Sequence, residues 1–282
     1  MPVRIIVDSA ADVQNISHPQ LTVLPLSIAF GSDTYLDGET ITHERFFEML
    51  IESDELPSTG QINPYAFSCA IESAQAAGED VVVLTLSGKL SGTHQSAVTA
   101  ASQVEGEVHV VDTQTVCIGE RILVRYALQL LDEGRSAAEI ATAIEEARER
   151  VVVLALLDTL EYLRRGGRIP SAVGVVGEML SIKPVVAVED GLVTMRGKAR
   201  GSKNGRNLLT QQIAAHPVDF TMPLCTAYSG LSSKMLDKYV ADLAPHWEGK
   251  LTREQLDTTS VGATIGTHVG PGAIAVAYFA QE

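Results

Sequence analysis

Apolar and polar positions alternate in two different periods along the first half of the chain. Short β-branched runs predict strands at 3–7, 81–86 and 108–111, and segments with helical spacing lie between them. The predicted helices span 42–51, 64–77, 91–103, 115–131 and 136–150. Such alternation is typical of a parallel sheet with helices on its faces. A further run at 21–30 contains Pro25, which favours one edge or bent strand.

The pattern changes after Arg150. Two apolar runs, 183–188 and 192–195, flank a Glu-Asp-Gly turn and predict an antiparallel hairpin. Further strands are predicted at 151–157, about 219–227 and 272–279, with helices at 159–165, 171–180, 202–215 and 231–243. We therefore predict an α/β protein of two domains. Residues 1–150 form an α/β domain around the parallel sheet, and residues 151–282 form an α/β domain with a mixed sheet that includes the hairpin.

Composition narrows the possible partners. The net charge of −14 argues against nucleic acid and anionic membrane surfaces, and an aromatic content of 5% argues against base stacking. The three cysteines have no metal-ligand spacing, which is typical of reduced core residues. The chain has no signal-like apolar segment and no run long enough to span a bilayer. We expect a cytoplasmic protein without integral membrane association.

The charge is unevenly distributed. The segment 164–206 holds nine Lys or Arg residues against three acids, a net charge of +6. A basic segment on an acidic protein can dock an acidic partner or an anionic ligand, although it can equally be a solvated hairpin and helix face.

A polar turn at 87–96 carries the clearest chemical signal. Ser87-Gly88-Lys89-Leu90-Ser91-Gly92-Thr93 joins a buried strand to a helix, where hydroxyls and backbone N–H groups can bind an anion. Lys89 is followed by Leu90, so the Gly-Lys-Ser/Thr order of a nucleotide-binding loop is missing. The turn therefore predicts a site for a small anionic group without phosphoryl-transfer machinery. The alternative is that Ser91 and Thr93 only cap the helix.

Other polar residues stand where a parallel sheet would gather them. Asp8-Ser9 and Asp112-Thr113 follow two strands, the segment 57–64 precedes a helix, and His268 lies in a glycine-rich segment read as a loop. A metal-dependent phosphotransferase or hydrolase using Asp8, Asp112 and His268 is one possible reading. The common catalytic and metal-binding motifs are missing, so the residues favour a binding protein over an enzyme, and we predict no metal site.

Five motifs, taken together and in order, resemble the DegV family. They are VDSAAD at 7–12, LPL at 24–26, LSGTHQS at 90–96, YLRRGGRI at 162–169 and THVGPG at 267–272. The resemblance covers nearly the whole chain. It implies a lipid-binding subunit, not itself an enzyme, that holds a long-chain fatty acid in an apolar tunnel between two domains and has no other cofactor.

The same resemblance implies a partner and a set of site residues. A separate ATP-binding fatty acid kinase subunit would phosphorylate the bound carboxylate, and the carrier would deliver the acyl phosphate to phospholipid synthesis. Residues implied to bind the carboxylate are Thr59, Ser91, Gly92, Thr93 and His268. Residues implied to face the kinase or the phosphate are Arg168, Arg196 and Arg200.

One loop departs from the pattern of the family. The family often has Thr-Ser-Gln-Pro-Ser where this chain has Thr59-Gly60-Gln61-Ile62-Asn63, so the contact from this loop is in question. A lipid-sensing regulatory module is a second alternative to the carrier. Candidate tunnel residues are Ile28, Phe30, Leu160, Met179, Val185 and Leu231.

Overall fold

A computed structural model describes residues 2–53, 55–169, 181–247, 249–252 and 255–281. The helix predicted over 171–180 and the candidate tunnel residue Met179 lie outside the described residues. In the described part, no helix combines the length and the apolarity that crossing a bilayer requires.

Strands and helices alternate along most of the described chain. The strands are β1 Val3–Asp8, β2 Leu21–Leu24, β3 Ser27–Phe30, β4 Asp33–Leu36, β5 Ser58–Gly60, β6 Asp80–Thr85, β7 Val108–Asp112, β8 Val151–Leu156, β9 Ile182–Glu189, β10 Leu192–Arg200, β11 Cys225–Tyr228, β12 Asp257–Ser260 and β13 Ile274–Phe279. The α-helices are α1 His43–Glu52, α2 Pro64–Ala76, α3 Thr93–Ala101, α4 Ile118–Asp132, α5 Ala137–Ala147, α6 Glu161–Arg165, α7 Ser202–Ala214, α8 Lys234–Trp247 and α9 Ala263–Val269. Short 3₁₀ turns cover Ser9–Ala11 and Arg148–Arg150.

The strands form three sheets among the described residues. The first has the order β2-β1-β6-β7, and all of its neighbouring strands are parallel. The second is a small antiparallel sheet, β4-β3-β5. The third has the order β10-β9-β8-β13-β11-β12 and is mixed, because only β11 and β12 pair in parallel. The predicted fold class, with its parallel sheet and its antiparallel hairpin in a mixed sheet, is confirmed.

The single strand predicted over 21–30 is wrong. The chain forms two strands there, and β2 joins the parallel sheet whereas β3 joins the small antiparallel sheet. The break falls at Pro25 and Leu26, since proline offers no N–H to a ladder. This break sends β3 towards β5, which carries Thr59.

The core runs through both halves of the chain. Its largest cluster joins Ile118 and Leu123 of α4 to Val153, Ala227 and Ala275 of the mixed sheet. The strands of the first two sheets all precede residue 113, and those of the third all follow residue 150. The boundary near 150 thus separates the sheets, while the division into two domains stays a prediction.

Candidate functional site

The turn after β6 presents a pair of bonded hydroxyls. The Thr93 backbone N–H donates to Ser91 Oγ at 3.2 Å, and the two side-chain oxygens lie 3.0 Å apart. Helix α3 starts at Thr93 with Gly92 as its N-cap residue. Ser91 therefore does help to satisfy the helix start, as its capping alternative requires, while Ser91 itself is only partly buried.

Thr59 and His268 form a second pair across 209 residues of sequence. Thr59 Oγ1 lies 3.0 Å from His268 Nε2. Thr59 belongs to β5, and His268 lies in the last turn of α9. The expectation of a loop histidine is therefore wrong. The short helix was hidden in the sequence because its glycine and its two threonines have low helix propensity.

The two pairs are adjacent. The Ile62 backbone N–H donates to Thr93 Oγ1 at 3.4 Å, and the Gln61 side chain donates to Ser96 Oγ at 3.0 Å. A Cβ atom on Gly92 would lie 1.9 Å from Gln61 Oε1, so the present position of the Gln61 side chain depends on that glycine.

Arg168 links the turn after β6 to the segment that faces His268. Its Nε donates to the Leu90 carbonyl at 3.2 Å and its Nη1 donates to the Gly166 carbonyl at 2.6 Å. Gly166 faces the histidine, since a Cβ there would lie 2.3 Å from His268 Nδ1. Burial, and secondarily the positive charge of Arg168, lower the pKa of His268 to about 4. We call Thr59, Ser91, Thr93, Arg168 and His268 the donor cluster.

The donor cluster can offer two hydroxyl groups as hydrogen-bond donors to an anion. His268 is neutral at pH 7, and its Nδ1 has no hydrogen-bond partner among the described residues. Placing the single ring proton on Nε2 makes His268 the donor to Thr59, which frees the Thr59 proton. With Thr93 donating to Ser91, the Ser91 proton is free as well. With these proton positions, both hydroxyl groups can donate to an anion beside the Arg168 guanidinium.

An apolar cavity lies beside the donor cluster. The cavity volume is about 70 Å³ in this structure, which is smaller than a typical ligand pocket, so a long ligand requires the lining side chains to move apart. Val269 lines it and directly follows His268, and Leu163 lines it from the helix that precedes Gly166. Other lining side chains include Val116, Ile118, Val153, Ala155, Leu157, Val186, Val188 and Ala275. The exposed surface of the cavity is entirely apolar.

The candidate tunnel residues do not line this cavity. Of the five that are described, Ile28 packs with Phe46 and Phe47 in another cluster, and Val185 belongs to the core on the other face of the mixed sheet. Leu231 is 53% exposed. Phe30 and Leu160 are likewise not among the lining residues. Hydrophobicity alone does not show which residues line the cavity, because strand register decides which face of a sheet each side chain occupies.

Arg196 and Arg200 lie on β10, at the edge of the mixed sheet. Arg196 pairs with Glu189 across the hairpin. Within the described residues, no hydrogen bond or ion pair joins either arginine to the donor cluster. The hairpin does reach the site loop, since Ser87 Oγ and Lys89 Nζ each donate at 2.7 Å to the carbonyls of Gly191 and Asp190, respectively.

The strand-end acids Asp8 and Asp112 accept backbone N–H groups. Asp8 is fully buried, and its two oxygens accept the backbone N–H groups of Ala10 and Leu86. Asp112 accepts the N–H groups of Gly88 and Gln114. In the part of the chain that the structure describes, no group of three His, Cys, Asp or Glu side chains is placed to hold a metal ion. Asp8 and Asp112 therefore fix the ends of β6 and β7 and the Ser87 loop.

Comparison with known proteins identifies the family. The model of the DegV family, described as uncharacterised, matches residues 2–281. The chain belongs to the DegV family. A curated DegV domain-containing protein of Deinococcus radiodurans is 30% identical over 288 aligned residues, which cover 98% of each chain.

Solved DegV structures share the fold over the full chain. A fatty-acid-binding DegV protein from Thermus thermophilus is 30% identical, with a TM-score of 0.88 and complete coverage of both chains. The fatty acid kinase B3 protein of Streptococcus pneumoniae, solved with linoleic acid, is 22% identical with a TM-score of 0.86 and also covers both chains completely.

The departure from the DegV loop pattern has a local cause. A Cβ atom on Gly60 would lie 2.4 Å from Ser27 Oγ, so the glycine leaves room for the Ser27 hydroxyl in its present position. Thr59 keeps its contact with His268 despite the departure.

No sequence pattern singled out Gln61, Gly166 or Asp37 as site residues. Gly166 lies against His268 of the donor cluster, Gln61 contacts Ser96 and Gly92 beside it, and Asp37 accepts the first N–H groups of α9. Because α9 itself was not predicted, the sequence pattern offered no signal that its start at Gly262, which lacks a capping side chain, is capped by a distant residue.

Proposed function

We propose that this DegV protein binds a long-chain fatty acid, with the carboxylate on the donor cluster and the acyl chain in the apolar cavity. It presents the carboxylate to a separate ATP-dependent fatty acid kinase subunit and carries the fatty acid or its acyl phosphate. The observation that carries the proposal is the position of an apolar cavity beside the hydroxyl groups of Thr59 and Ser91, with His268 and Thr93 as their hydrogen-bond partners.

The two parts of the site contribute differently. Each methylene removed from water stabilises the complex by about 0.8 kcal/mol, so the acyl chain supplies most of the affinity. A hydrogen bond to a charged group contributes about 1.5–3 kcal/mol, which positions the carboxylate and selects it over a neutral head group. The positive charge of Arg168 next to His268 favours the ionised carboxylate.

The kinase partner is supported by what the turn lacks. Lys89-Leu90 replaces the order that serves a nucleotide, so we assign ATP to another polypeptide. Arg168, together with Arg196 and Arg200 on the edge strand β10, would face that partner or the new phosphate. The Streptococcus pneumoniae protein, which has the same fold, is named as a fatty acid kinase protein. Its name supports the proposal that this chain works with a kinase subunit.

On this proposal the chain is a cytoplasmic binding subunit and not a catalyst by itself. The acyl chain would lie where residues of the N-terminal half, Val116 to Ile118, meet the mixed sheet of the C-terminal half. That placement corresponds to a ligand tunnel between the two predicted domains, 1–150 and 151–282.

Native mass spectrometry of protein purified from a bacterial host tests the binding step. We expect a bound mass equal to a long-chain fatty acid, released by organic solvent. Protein without any bound lipid, which also fails to take up added palmitic acid, would refute the proposal.

The Ser91→Ala variant tests the site and the partner together. With a bacterial fatty acid kinase subunit and ATP, we expect acyl phosphate from the wild type and at least about tenfold less from the variant, because a donor to the carboxylate is lost. Ser102→Ala, at the exposed end of α3, is the matched control and should behave as wild type. Equal turnover in all three proteins would remove Ser91 from the site. Fatty acid binding without phosphorylation of the wild type would favour a lipid-sensing module.

A further inference from the structure

Helix α9 positions His268, and a residue from the opposite half of the chain holds its first turn. The N-cap residue Gly262 has no side chain to accept the free N–H groups of the helix start. Asp37 supplies the missing acceptors: its Oδ1 accepts the Ala263 N–H at 3.0 Å, and its Oδ2 accepts the Thr264 N–H at 3.1 Å.

Asp37 is itself held in place. Its side chain is buried at 3% exposure, Ser9 Oγ donates to its Oδ2 at 3.2 Å, and its own N–H donates to the Leu26 carbonyl at 3.0 Å. Asp12 supports the same helix start, since its Oδ1 accepts the Gly262 N–H at 2.8 Å. The helix start is therefore fixed to the ends of β1 and β4 on the N-terminal side.

Helix α9 depends on such outside contacts. It has seven residues, and an isolated helix of that length does not form in water. Its middle packs against α1, where a Cβ on Gly266 would lie 2.7 Å from Phe46 and 2.8 Å from Phe47. From Ala263 to His268 the helix rises only about 7.5 Å, so a shift of its first turn reaches the imidazole.

We propose that Asp37 is a positioning residue for the donor cluster. By holding the first turn of α9, it keeps His268 within hydrogen-bond distance of Thr59, and so directs the Thr59 proton towards the bound anion. This inference rests on the proposed function for its ligand, but the arrangement of His268 can be measured without any ligand.

The variants Asp37→Ala and Asp37→Asn test the inference, and Asn is the milder change because it keeps one acceptor oxygen. Ser136→Ala is the matched control, because it removes the N-cap of α5, and no hydrogen bond of Ser136 reaches the donor cluster. The first measurement is the pKa of His268 by NMR titration. We expect about 4 in the wild type and in Ser136→Ala, and a value raised towards 6.5 in the Asp37 variants as the ring becomes solvated.

The direction of the change in the His268 pKa distinguishes a moved ring from the mere loss of the Asp37 charge. Removing a negative charge lowers the pKa of a nearby histidine, so an upward change can only come from a moved or exposed ring. A His268 pKa that stays near 4 in folded Asp37→Asn would overturn the inference, as would an equal rise in Ser136→Ala.

The second measurement compares palmitic acid with hexadecanol, which has the same chain without the carboxylate. We expect the Asp37 variants to lose about tenfold in affinity for the acid and less than twofold for the alcohol. Equal losses for both ligands would indicate a merely structural residue and overturn the inference. If the wild type binds neither ligand, the proposed function fails, and the His268 titration still decides the role of Asp37.

Discussion

Filling the apolar cavity should shorten the acyl chain that this protein prefers. Ala155 lines the cavity from β8, opposite Ala275 of β13. The variant Ala155→Leu adds three carbon atoms to the space that the acyl chain would use. The cavity is apolar on all sides, so the new side chain meets no polar group, and we expect the tighter packing to lower the free energy of unfolding by about 1–3 kcal/mol.

The expected magnitude follows from the displaced methylenes. Three added carbons exclude about three methylene groups, each of which contributes about 0.8 kcal/mol, so stearic acid should bind about 2.4 kcal/mol more weakly. This corresponds to about a 50-fold higher Kd. Myristic acid, four carbons shorter, should bind the variant and the wild type with similar affinity.

Titration calorimetry on delipidated protein, with both fatty acids, measures the effect. Ala241→Leu, an equal change on an exposed position of α8, is the matched control and should leave both affinities unchanged. An unchanged Kd for stearic acid in Ala155→Leu, or an equal loss for both fatty acids, would refute the assignment of the acyl chain to this cavity.

Two further predictions concern buried groups. Gly166→Ala places a Cβ 2.3 Å from His268 Nδ1 without backbone strain, so the ring must move. We expect weaker palmitic acid binding with unchanged hexadecanol binding, and equal effects on both would contradict the role of the ring. Burial, and then the nearby Asp8 and Asp12, raise the pKa of Glu120 well above its usual range, so folding takes up a proton when the pH exceeds about 4.5. The free energy of unfolding of the wild type should therefore fall as pH rises towards the folded pKa, by up to about 1.4 kcal/mol per pH unit. In Glu120→Gln, the melting temperature measured between pH 5 and 9 should depend less steeply on pH. Parallel slopes for the two proteins would contradict this.

Local patterns were sufficient for most of the fold. The strands β1, β6 and β7 and the helices α1, α2 and α5 were predicted within a few residues, because alternation and helical spacing are properties of neighbouring positions. The hairpin β9–β10 was equally clear from its Glu-Asp-Gly turn. Short elements were missed where the pattern is too brief, as for β4, β5 and β12.

The sequence by itself determined the fold class, the DegV family and the types of residue that a site could use. Only the tertiary structure decided which of them meet. Thr59 and His268 are 209 residues apart, and Asp37 and Ala263 are 226 apart, so no local pattern relates them. Their contacts depend on the strand break at Pro25, on close approaches at Gly92 and Gly166, and on a helix too short to form alone. Each residue's type determines the chemistry of its side chain, whereas the distances between the site residues result from long-range packing.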